Sequence, residues 1–279
     1  MQRIVAGVDG SSQADRALAW AVREAELHLA DLAIVHCYVA HARGAVMYMP
    51  DREKAEARLA EIVDRNRHLL DHVTWSADTI GVFNQPSSGL VDAGEDADLV
   101  VVGFRGAGGF PRLRLGSTGY RTAAHAATPV AVIHTEGSAT DDGQRSIIVG
   151  VDGSRASGRA LEWAVDEARK REVPVTVVHT VPGTRSADAT AGREGGSDPV
   201  LTEAERVVDT ALEDVDTTGV TIDRVVERGA TAGVLLSRSG GGHVLVIGTH
   251  GRSALGRMVF GSVSHQCLHH ADGPVVIVP

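Results

Sequence analysis

A glycine pattern that occurs twice constrains this chain more than any other feature of its sequence. Both copies read G-x2-G-x9-G-S, the first from Gly103 to Ser117 and the second from Gly248 to Ser262. An apolar run typical of a buried parallel strand precedes each copy, and a helical pattern follows it. Glycines let the backbone approach a phosphate closely, and the first amides of a helix have no partners of their own. The pattern therefore predicts two anion-binding loops, with Ser117 and Ser262 as N-caps of the helices that follow.

An aspartate after the first strand of each half is a second repeated feature. The strands predicted at Arg3–Val8 and Arg145–Val151 each run into a Gly-Val-Asp-Gly-Ser sequence, which places Asp9 and Asp152 directly after them. Helices and strands then alternate until five strands are complete in each half, and the irregular stretch Ala40–Pro50 is interpreted as a loop. This alternation predicts an α/β fold of two doubly wound domains, each with a five-stranded parallel sheet.

The domain boundaries follow from a change in composition near the middle of the chain. Residues 136–144 are polar, acidic and small, which is typical of a linker. A chain of 279 residues is long enough for two ordinary domains. We therefore predict domains at residues 1–135 and 145–279, joined by a linker at 136–144.

Composition limits the partners and the compartment. The net charge of −9 disfavours non-specific binding to nucleic acid or to an anionic membrane. The two cysteines, Cys37 and Cys267, do not make a disulfide framework and suit a reducing compartment. The N-terminus lacks the apolar content of a signal peptide, and no apolar run approaches the roughly 18 residues of a membrane span. A cytoplasmic protein is expected, with neither nucleic acid nor membrane as a partner.

Three common phosphate and metal motifs are missing from the sequence. It contains no G-x-x-x-x-G-K-[ST], which argues against a P-loop. No G-x-G-x-x-G follows the first strand of either half, so the dinucleotide fingerprint is missing. No cluster of residues has the spacing of a structural zinc site.

The glycine pattern and the aspartate together resemble the ATP-binding type of the universal stress protein family. The resemblance occurs in both halves and so covers nearly the whole chain. The chain thereby resembles tandem-domain members of the family from actinobacteria such as mycobacteria. It implies a Rossmann-like fold of the adenine nucleotide alpha hydrolase-like kind. It also implies ATP with Mg²⁺ as the ligand, and a regulatory role in stress response or growth control.

The resemblance implies an ATP site in each half. Carboxylates at Asp9 and Asp152 would accept hydrogen bonds from ribose or adenine, the backbones of Cys37 and Thr180 would contact adenine, and the glycine loops would hold the phosphates. In the first half the implied site comprises Gly7, Asp9, Cys37, Gly103, Arg105, Gly106, Gly116 and Ser117. In the second half it comprises Gly150, Asp152, Thr180, Gly248, Gly251, Arg252, Gly261, Ser262 and Val263.

The two halves differ at positions that bear on phosphate affinity. Family members often carry a basic residue after the second glycine, and Arg252 fits, whereas Ala107 takes that place in the first half with Arg105 nearby. Ser264 follows the second G-S pair at a distance where the first half has Gly119, which loses a hydroxyl. We therefore expect the second half to bind ATP at least as tightly as the first.

Several candidate groups also have purely structural interpretations. Asp9 and Asp152 could be plain turn residues in Asp-Gly turns. His265 and His269 lie four residues apart on a predicted helix, the spacing of a metal pair, but a solvated helix face is the favoured interpretation because the pair does not recur in the first half.

Three residues of the second strands have the same two kinds of interpretation. His36 and His179 follow apolar runs and are predicted to be structural. Cys37 could be a redox thiol, although a small buried residue is the commoner case.

Three functional classes stay open from the sequence. The leading hypothesis is a regulatory protein whose ATP occupancy is the signal. The second is a slow ATPase or self-phosphorylating protein with Ser117 or Ser262 as acceptor, although no general base repeats in both halves. The third is an interaction module that binds no nucleotide.

The last strand of each half bears on assembly. Val130–Ile133 and Val275–Val278 are apolar and follow a proline, and each is expected at the edge of its sheet. The resemblance implies that these two strands pair across a pseudo-twofold axis within the chain. We also expect a homodimer on top of this intrachain pseudo-dimer, and a protein partner that the sequence does not identify.

Overall fold

The computed structural model describes residues 1–39, 41–43, 46–48, 52–82, 85–106, 115–134, 146–183, 198–240, 242–251 and 260–279. The chain divides into two compact units, Met1–Asp141 and Asp142–Pro279. Each unit is a doubly wound α/β domain on a five-stranded parallel sheet, so the predicted fold class is confirmed. The predicted linker at 136–144 lies outside the described residues.

The first unit places its earliest strand at the centre of the sheet. Its main sheet has the order β7-β6-β1-β2-β5, and every neighbouring pair is parallel. The strands are β1 (Arg3–Gly7), β2 (Asp31–Val39), β3 (His41–Arg43), β4 (Val46–Tyr48), β5 (Trp75–Val82), β6 (Leu99–Gly103) and β7 (Val130–Ile133). The helices are α1 (Ser12–His28), α2 (Arg52–Arg65), α3 (Pro86–Gly94) and α4 (Ser117–His125), with a 3₁₀ turn at Arg67–Leu69.

The second unit repeats this arrangement. Its sheet has the order β10-β9-β8-β11-β12, again with parallel neighbours. The strands are β8 (Ile147–Gly150), β9 (Val175–Val181), β10 (Ile222–Arg228), β11 (Val244–Gly248) and β12 (Val275–Val278). The helices are α5 (Arg155–Arg171), α6 (Pro199–Glu213), α7 (Thr231–Arg238) and α8 (Ser262–His270).

The apolar runs before the glycine loops form buried strands because helices cover both faces of each sheet. Leu99–Val102 in β6 and Val244–Ile247 in β11 are buried at every position. Small residues on α1, such as Ala17 and Ala21, are fully buried and allow the helix to pack closely against the sheet. Among the described residues, no helix combines the length and the apolar content that a membrane span requires.

One local prediction was wrong in the stretch after β2. The segment Ala40–Pro50, interpreted as a loop, contains the short antiparallel pair β3–β4, in which His41 lies opposite Tyr48. Two strands of three residues are too short to show an alternating pattern that could be recognised in the sequence.

Candidate functional site

Each sheet carries a cavity at the point where its strand order reverses. From the central strand the chain continues to one side, through α1 to β2 or through α5 to β9, while β6 or β11 lies on the other side. In an open parallel sheet such a reversal leaves a crevice at the carboxyl ends of the strands. The cavity there measures about 520 Å³ in the first unit and about 430 Å³ in the second. Within the described residues, each cavity is lined by residues of its own unit alone.

Most of the residues predicted from the sequence line these two cavities. The first cavity brings together all the predicted residues of its half: Gly7, Asp9, Cys37, Gly103, Arg105, Gly106, Gly116 and Ser117. The second cavity brings together Gly150, Asp152, Gly248, Gly251, Gly261, Ser262 and Val263. Thr180 is not among the lining residues, but its side chain bonds to Thr231, which is one of them. Arg252 lies outside the described residues.

The third glycine of each pattern closes the loop at its base. The amide of Gly116 donates to the carbonyl of Phe104, and the amide of Gly261 donates to that of Thr249, both at 2.8 Å. A Cβ atom on Gly116 would lie 3.2 Å from the Phe104 oxygen, so a larger residue would disturb this closure. The interiors of both loops, 107–114 and 252–259, lie outside the described residues.

The prediction that Ser117 and Ser262 are N-caps was wrong. The N-caps are Gly116 and Gly261, which take the extended conformation as they close the loops, so each serine becomes the first helical residue. Because both N-cap residues are glycines, neither makes a side-chain cap hydrogen bond. Both serines are exposed, which leaves their hydroxyls at the mouths of the cavities.

Asp9 serves both the turn after β1 and the wall of the first cavity. One carboxylate oxygen accepts the amide of Ser11 at 2.9 Å, and Gly10 between them has a φ of 81°, which suits a glycine. The other oxygen faces the glycine loop, because a Cβ atom on Gly106 would lie 2.5 Å from it. The turn interpretation therefore accounts for one oxygen of Asp9 only.

Asp152 repeats this arrangement in the second unit. Its Oδ1 accepts the amide of Ser154 at 3.0 Å, and Gly153 has a φ of 76°. Its Oδ2 would overlap a Cβ atom on Gly251. The second glycine of each pattern is thus required where the carboxylate that follows the central strand meets the loop.

The first glycine of each pattern has a packing role that the sequence analysis did not anticipate. A Cβ atom on Gly103 would lie 3.0 Å from the backbone of Gln13, and one on Gly248 would lie 2.8 Å from the carbonyl carbon of Ala156. These contacts bring the first turns of α1 and α5 against the ends of β6 and β11. Gly103 and Gly248 line the cavities, and they also set how closely helix and strand approach.

The hydroxyl that distinguishes the second half supports the loop backbone. Ser264 is buried and donates to the carbonyl of Gly248 at 2.8 Å. Gly119 takes its place in the first unit, where a Cβ atom would lie 3.2 Å from the oxygen of Gly103. The difference between the halves at this position therefore concerns how the loop is held.

Apolar walls and His250 are among the parts of the site that the sequence analysis missed. A Cβ atom on Gly7 would lie 2.9 Å from a methyl carbon of Leu90, and one on Gly150 would lie 3.1 Å from a methyl carbon of Leu235, and both leucines line their cavities. They belong to α3 and α7, whose short apolar patterns give no sign of which cavity they approach. His250, hydrogen-bonded through Nδ1 to the hydroxyl of Thr249, lines the second cavity at the place that Arg105 takes in the first.

The histidines of the second strands are structural, as predicted. The Nδ1 atom of His36 lies 2.8 Å from the carbonyl oxygen of Val8, and that of His179 lies 2.7 Å from the carbonyl oxygen of Val151. A carbonyl can only accept, so Nδ1 carries the proton in both. Each histidine thereby ties its strand to the turn that follows the central strand.

His265 and His269 lie together on α8. Their ring centroids are 4.4 Å apart, and partial burial, followed by the charges of His265 and His270, lowers the pKa of His269. His265 is exposed, as the favoured interpretation of a solvated face requires. In the described part of the chain, no group of three metal-ligand side chains includes them.

Cys37 is expected to resist alkylation in the folded protein. Burial, reinforced by the charge of Asp92, raises the pKa of its thiol to about 12. At pH 8 the reactive thiolate is then about 10⁻⁴ of the total, so iodoacetamide should react roughly a thousandfold more slowly than in urea-denatured protein. Peptide mapping by mass spectrometry measures this rate. Burial gives Cys267 the same pKa, so it serves as an internal comparison, and rapid labelling of Cys37 alone would contradict the assignment.

Comparison with known proteins agrees with this architecture. The model of the universal stress protein family matches residues 1–134 and 144–279. A universal stress protein of Mycobacterium tuberculosis is 32% identical over 291 residues, which cover 98% of this chain and 95% of the relative. One from Mycolicibacterium smegmatis is 29% identical over 304 residues, with 99% and 96% covered. The crystal structure of a universal stress protein from Archaeoglobus fulgidus has a TM-score of 0.69 at 18% identity, and 99% of this chain and 95% of that chain are covered. The chain therefore belongs to the universal stress protein family and carries two of its domains in tandem.

Proposed function

We propose that the chain binds ATP with Mg²⁺ in both cavities and acts as a regulatory nucleotide-binding protein in stress response or growth control. One observation carries the proposal. In each unit a glycine loop closed at its base, a helix start whose N-cap is a glycine, and the carboxylate that follows the central strand line one crevice at the switch point of the sheet.

The phosphate end of each cavity is the glycine loop with the first turn of the following helix. The amides there are suited to an anion, since the positive end of the helix dipole points at it. In the first cavity Ser117 and Thr118 belong to this turn, and Arg105 adds a permanent positive charge. These local groups support binding of a polyanion in spite of the net charge of −9. Mg²⁺ would neutralise part of the charge on the triphosphate.

The ribose would lie beside the carboxylate that follows the central strand. Asp9 and Asp152 each use one oxygen in their turns, and an ionised carboxylate can accept several further hydrogen bonds. Ribose hydroxyls are suitable donors. The proposal thereby assigns the carboxylate to the middle of the ligand, between the loop that follows β6 or β11 and the base.

The base would lie on the side of β2 or β9. Neighbouring strands are about 4.8 Å apart, so β6 and β2, which flank β1, lie roughly 10 Å from each other. This span suits a nucleoside with its first phosphate. Val35 and Leu90 provide apolar contact in the first cavity, and Leu235 does so in the second.

Calorimetric titration with MgATP tests the proposal. Protein stripped of nucleotide should bind two ATP molecules per chain, the second cavity at least as tightly as the first. Mass spectrometry of freshly purified, denatured protein should reveal co-purifying adenine nucleotide. A titration that detects no binding would overturn the proposal and favour the hypothesis of an interaction module.

ATP turnover should be far slower than that of an ordinary enzyme. We expect less than about 1 turnover per second, the lower end of the usual enzyme range. His250 lines the second cavity, but Arg105 takes its place in the first, so the two sites share no general base there. Release of inorganic phosphate from MgATP measures the rate. Turnover above that value would place the protein among the enzymes.

Self-phosphorylation is the second candidate function, because Ser117 and Ser262 are exposed at the first helical position. Radiolabelled γ-phosphate should then stay on the protein, and Ser117→Ala or Ser262→Ala should remove it from the corresponding unit. Label that persists in the double variant would exclude both serines as acceptors.

The homodimer, the cytoplasmic location and an unidentified protein partner stay predictions. Sedimentation equilibrium with and without MgATP measures the oligomeric state.

A further inference from the structure

The two cavities are built alike at the loop but differ where the base would lie. Leu90 and Leu235 pack on equivalent glycines, so α3 and α7 correspond residue by residue. One helical turn before each leucine, Pro86 begins α3 and Thr231 begins α7. Both of these first residues line their cavities.

The second strands contribute the other half of this difference. Cys37 and Thr180 correspond, because each directly follows the histidine that bonds to the turn after the central strand. In the second unit the hydroxyls of Thr180 and Thr231 lie 2.6 Å apart and form a hydrogen bond. Both threonines are half-buried. Thr231 lines the second cavity, and the bond to Thr180 holds its hydroxyl in place.

The first cavity has no hydroxyl at the corresponding pair of positions. Pro86 carries no polar side-chain group, and the thiol of Cys37 is a weak donor that burial keeps neutral by raising its pKa to about 12. The sulfur lies close to α3, since a Cβ atom on Gly89 would be 2.9 Å from it. Val234 takes the place of Gly89 in the second unit.

A bonded pair of hydroxyls keeps most of its hydrogen-bonding capacity. Each hydroxyl has one proton to donate and two lone pairs to accept with, and their mutual bond uses one of each. One donor and three acceptor positions remain for a ligand. A purine with an exocyclic amino group can use them, whereas a purine with hydrogen at that position cannot donate to them.

We propose that the second cavity recognises the exocyclic amino group of the base through the Thr231 hydroxyl, which Thr180 orients, in addition to the backbone contact expected from β2 and β9 in both units. This inference rests on the proposed function, because it assumes that nucleotides bind with the base on the side of β2 and β9. It assigns Thr231 as a specificity-determining residue of the second cavity and Thr180 as its positioning residue.

The test compares ATP with purine riboside triphosphate, which has hydrogen in place of the amino group. Titration of Gly106→Glu protein reports on the second cavity, and titration of Gly251→Glu protein reports on the first. The preference of the second cavity for ATP over the analogue should exceed the preference of the first cavity about tenfold, as one additional hydrogen bond warrants.

Matched variants separate the threonine pair from other differences between the units. Thr231→Val keeps the shape of the side chain and should reduce the preference of the second cavity to within about twofold of that of the first, while the protein still unfolds in one cooperative thermal transition. Replacing Cys37 and Pro86 together by threonine should raise the preference of the first cavity.

The possible failures are distinguishable. Equal preferences in both cavities, or a preference that survives Thr231→Val, would overturn this inference and leave the proposed function standing. Absence of binding by either triphosphate in the wild-type chain would overturn both.

Discussion

Gly251→Glu should abolish ATP binding in the second cavity and leave the affinity of the first unchanged. A Cβ atom at this position already overlaps Oδ2 of Asp152, so the new side chain must displace that carboxylate. It also brings a second negative charge to the place proposed for the phosphates. We expect the dissociation constant of the second cavity to rise at least about a hundredfold, or about 2.7 kcal/mol. Titration of the whole chain with MgATP should then show one site.

Reciprocal and neutral variants complete this experiment. Gly106→Glu should remove the first site only, because a Cβ atom there would lie 2.5 Å from Oδ2 of Asp9. Gly233→Ala is the matched control, since it also adds a Cβ atom in the second unit but at a position with no atom within 4 Å. Normal ATP binding by both glutamate variants would show that the glycine loops do not hold the phosphates.

Gly248→Ala should lower the free energy of unfolding by about 1–3 kcal/mol, the usual cost of overpacking a well-packed site. The added methyl group would lie 2.8 Å from the carbonyl carbon of Ala156 and 2.9 Å from its Cβ atom. These are atoms of a helix start that cannot turn away as the end of a flexible side chain can. Helix α5 must therefore move away from β11. Urea denaturation monitored by circular dichroism measures the change.

Gly158→Ala changes the helix that Gly248 contacts and is expected to have the opposite effect on stability. No atom lies within 4 Å of a Cβ atom built on Gly158, which belongs to the interior of α5. Alanine there should stabilise the protein by about 0.5–1 kcal/mol, because glycine loses more backbone entropy on helix formation. A Gly248→Ala variant as stable as Gly158→Ala would show that the helix and the strand are not held as closely as this packing requires.

The fold was predictable because its signals are local. Buried parallel strands appear as apolar runs, helices as amphipathic repeats, and the loop as glycines at fixed spacing. The roles of the individual glycines were not predictable in the same way. Gly103 and Gly248 were predicted to hold phosphates, yet their contacts with α1 and α5 come from residues far away in the sequence.

The N-caps illustrate a second limit of prediction from sequence. Glycine and serine are both acceptable N-caps, so a Gly-Ser pair does not reveal which residue takes the extended conformation. In this structure the loop closure decides, because the amide of Gly116 must reach Phe104 and that of Gly261 must reach Thr249. Thr231 was missed for a related reason, since nothing in its local sequence indicates that α7 begins at the wall of the cavity.

If both cavities bind nucleotide as proposed, their location in separate units would give the chain four occupancy states: empty, filled in the first unit only, filled in the second unit only, and filled in both. A protein with two such compartments of unequal affinity responds to its ligand over a wider concentration range than one with a single compartment. If the two dissociation constants differ about tenfold, or by about 1.4 kcal/mol in binding free energy, a half-filled chain is the main species between them. A partner that distinguishes the half-filled chain from the other states would then respond only within a window of nucleotide concentration.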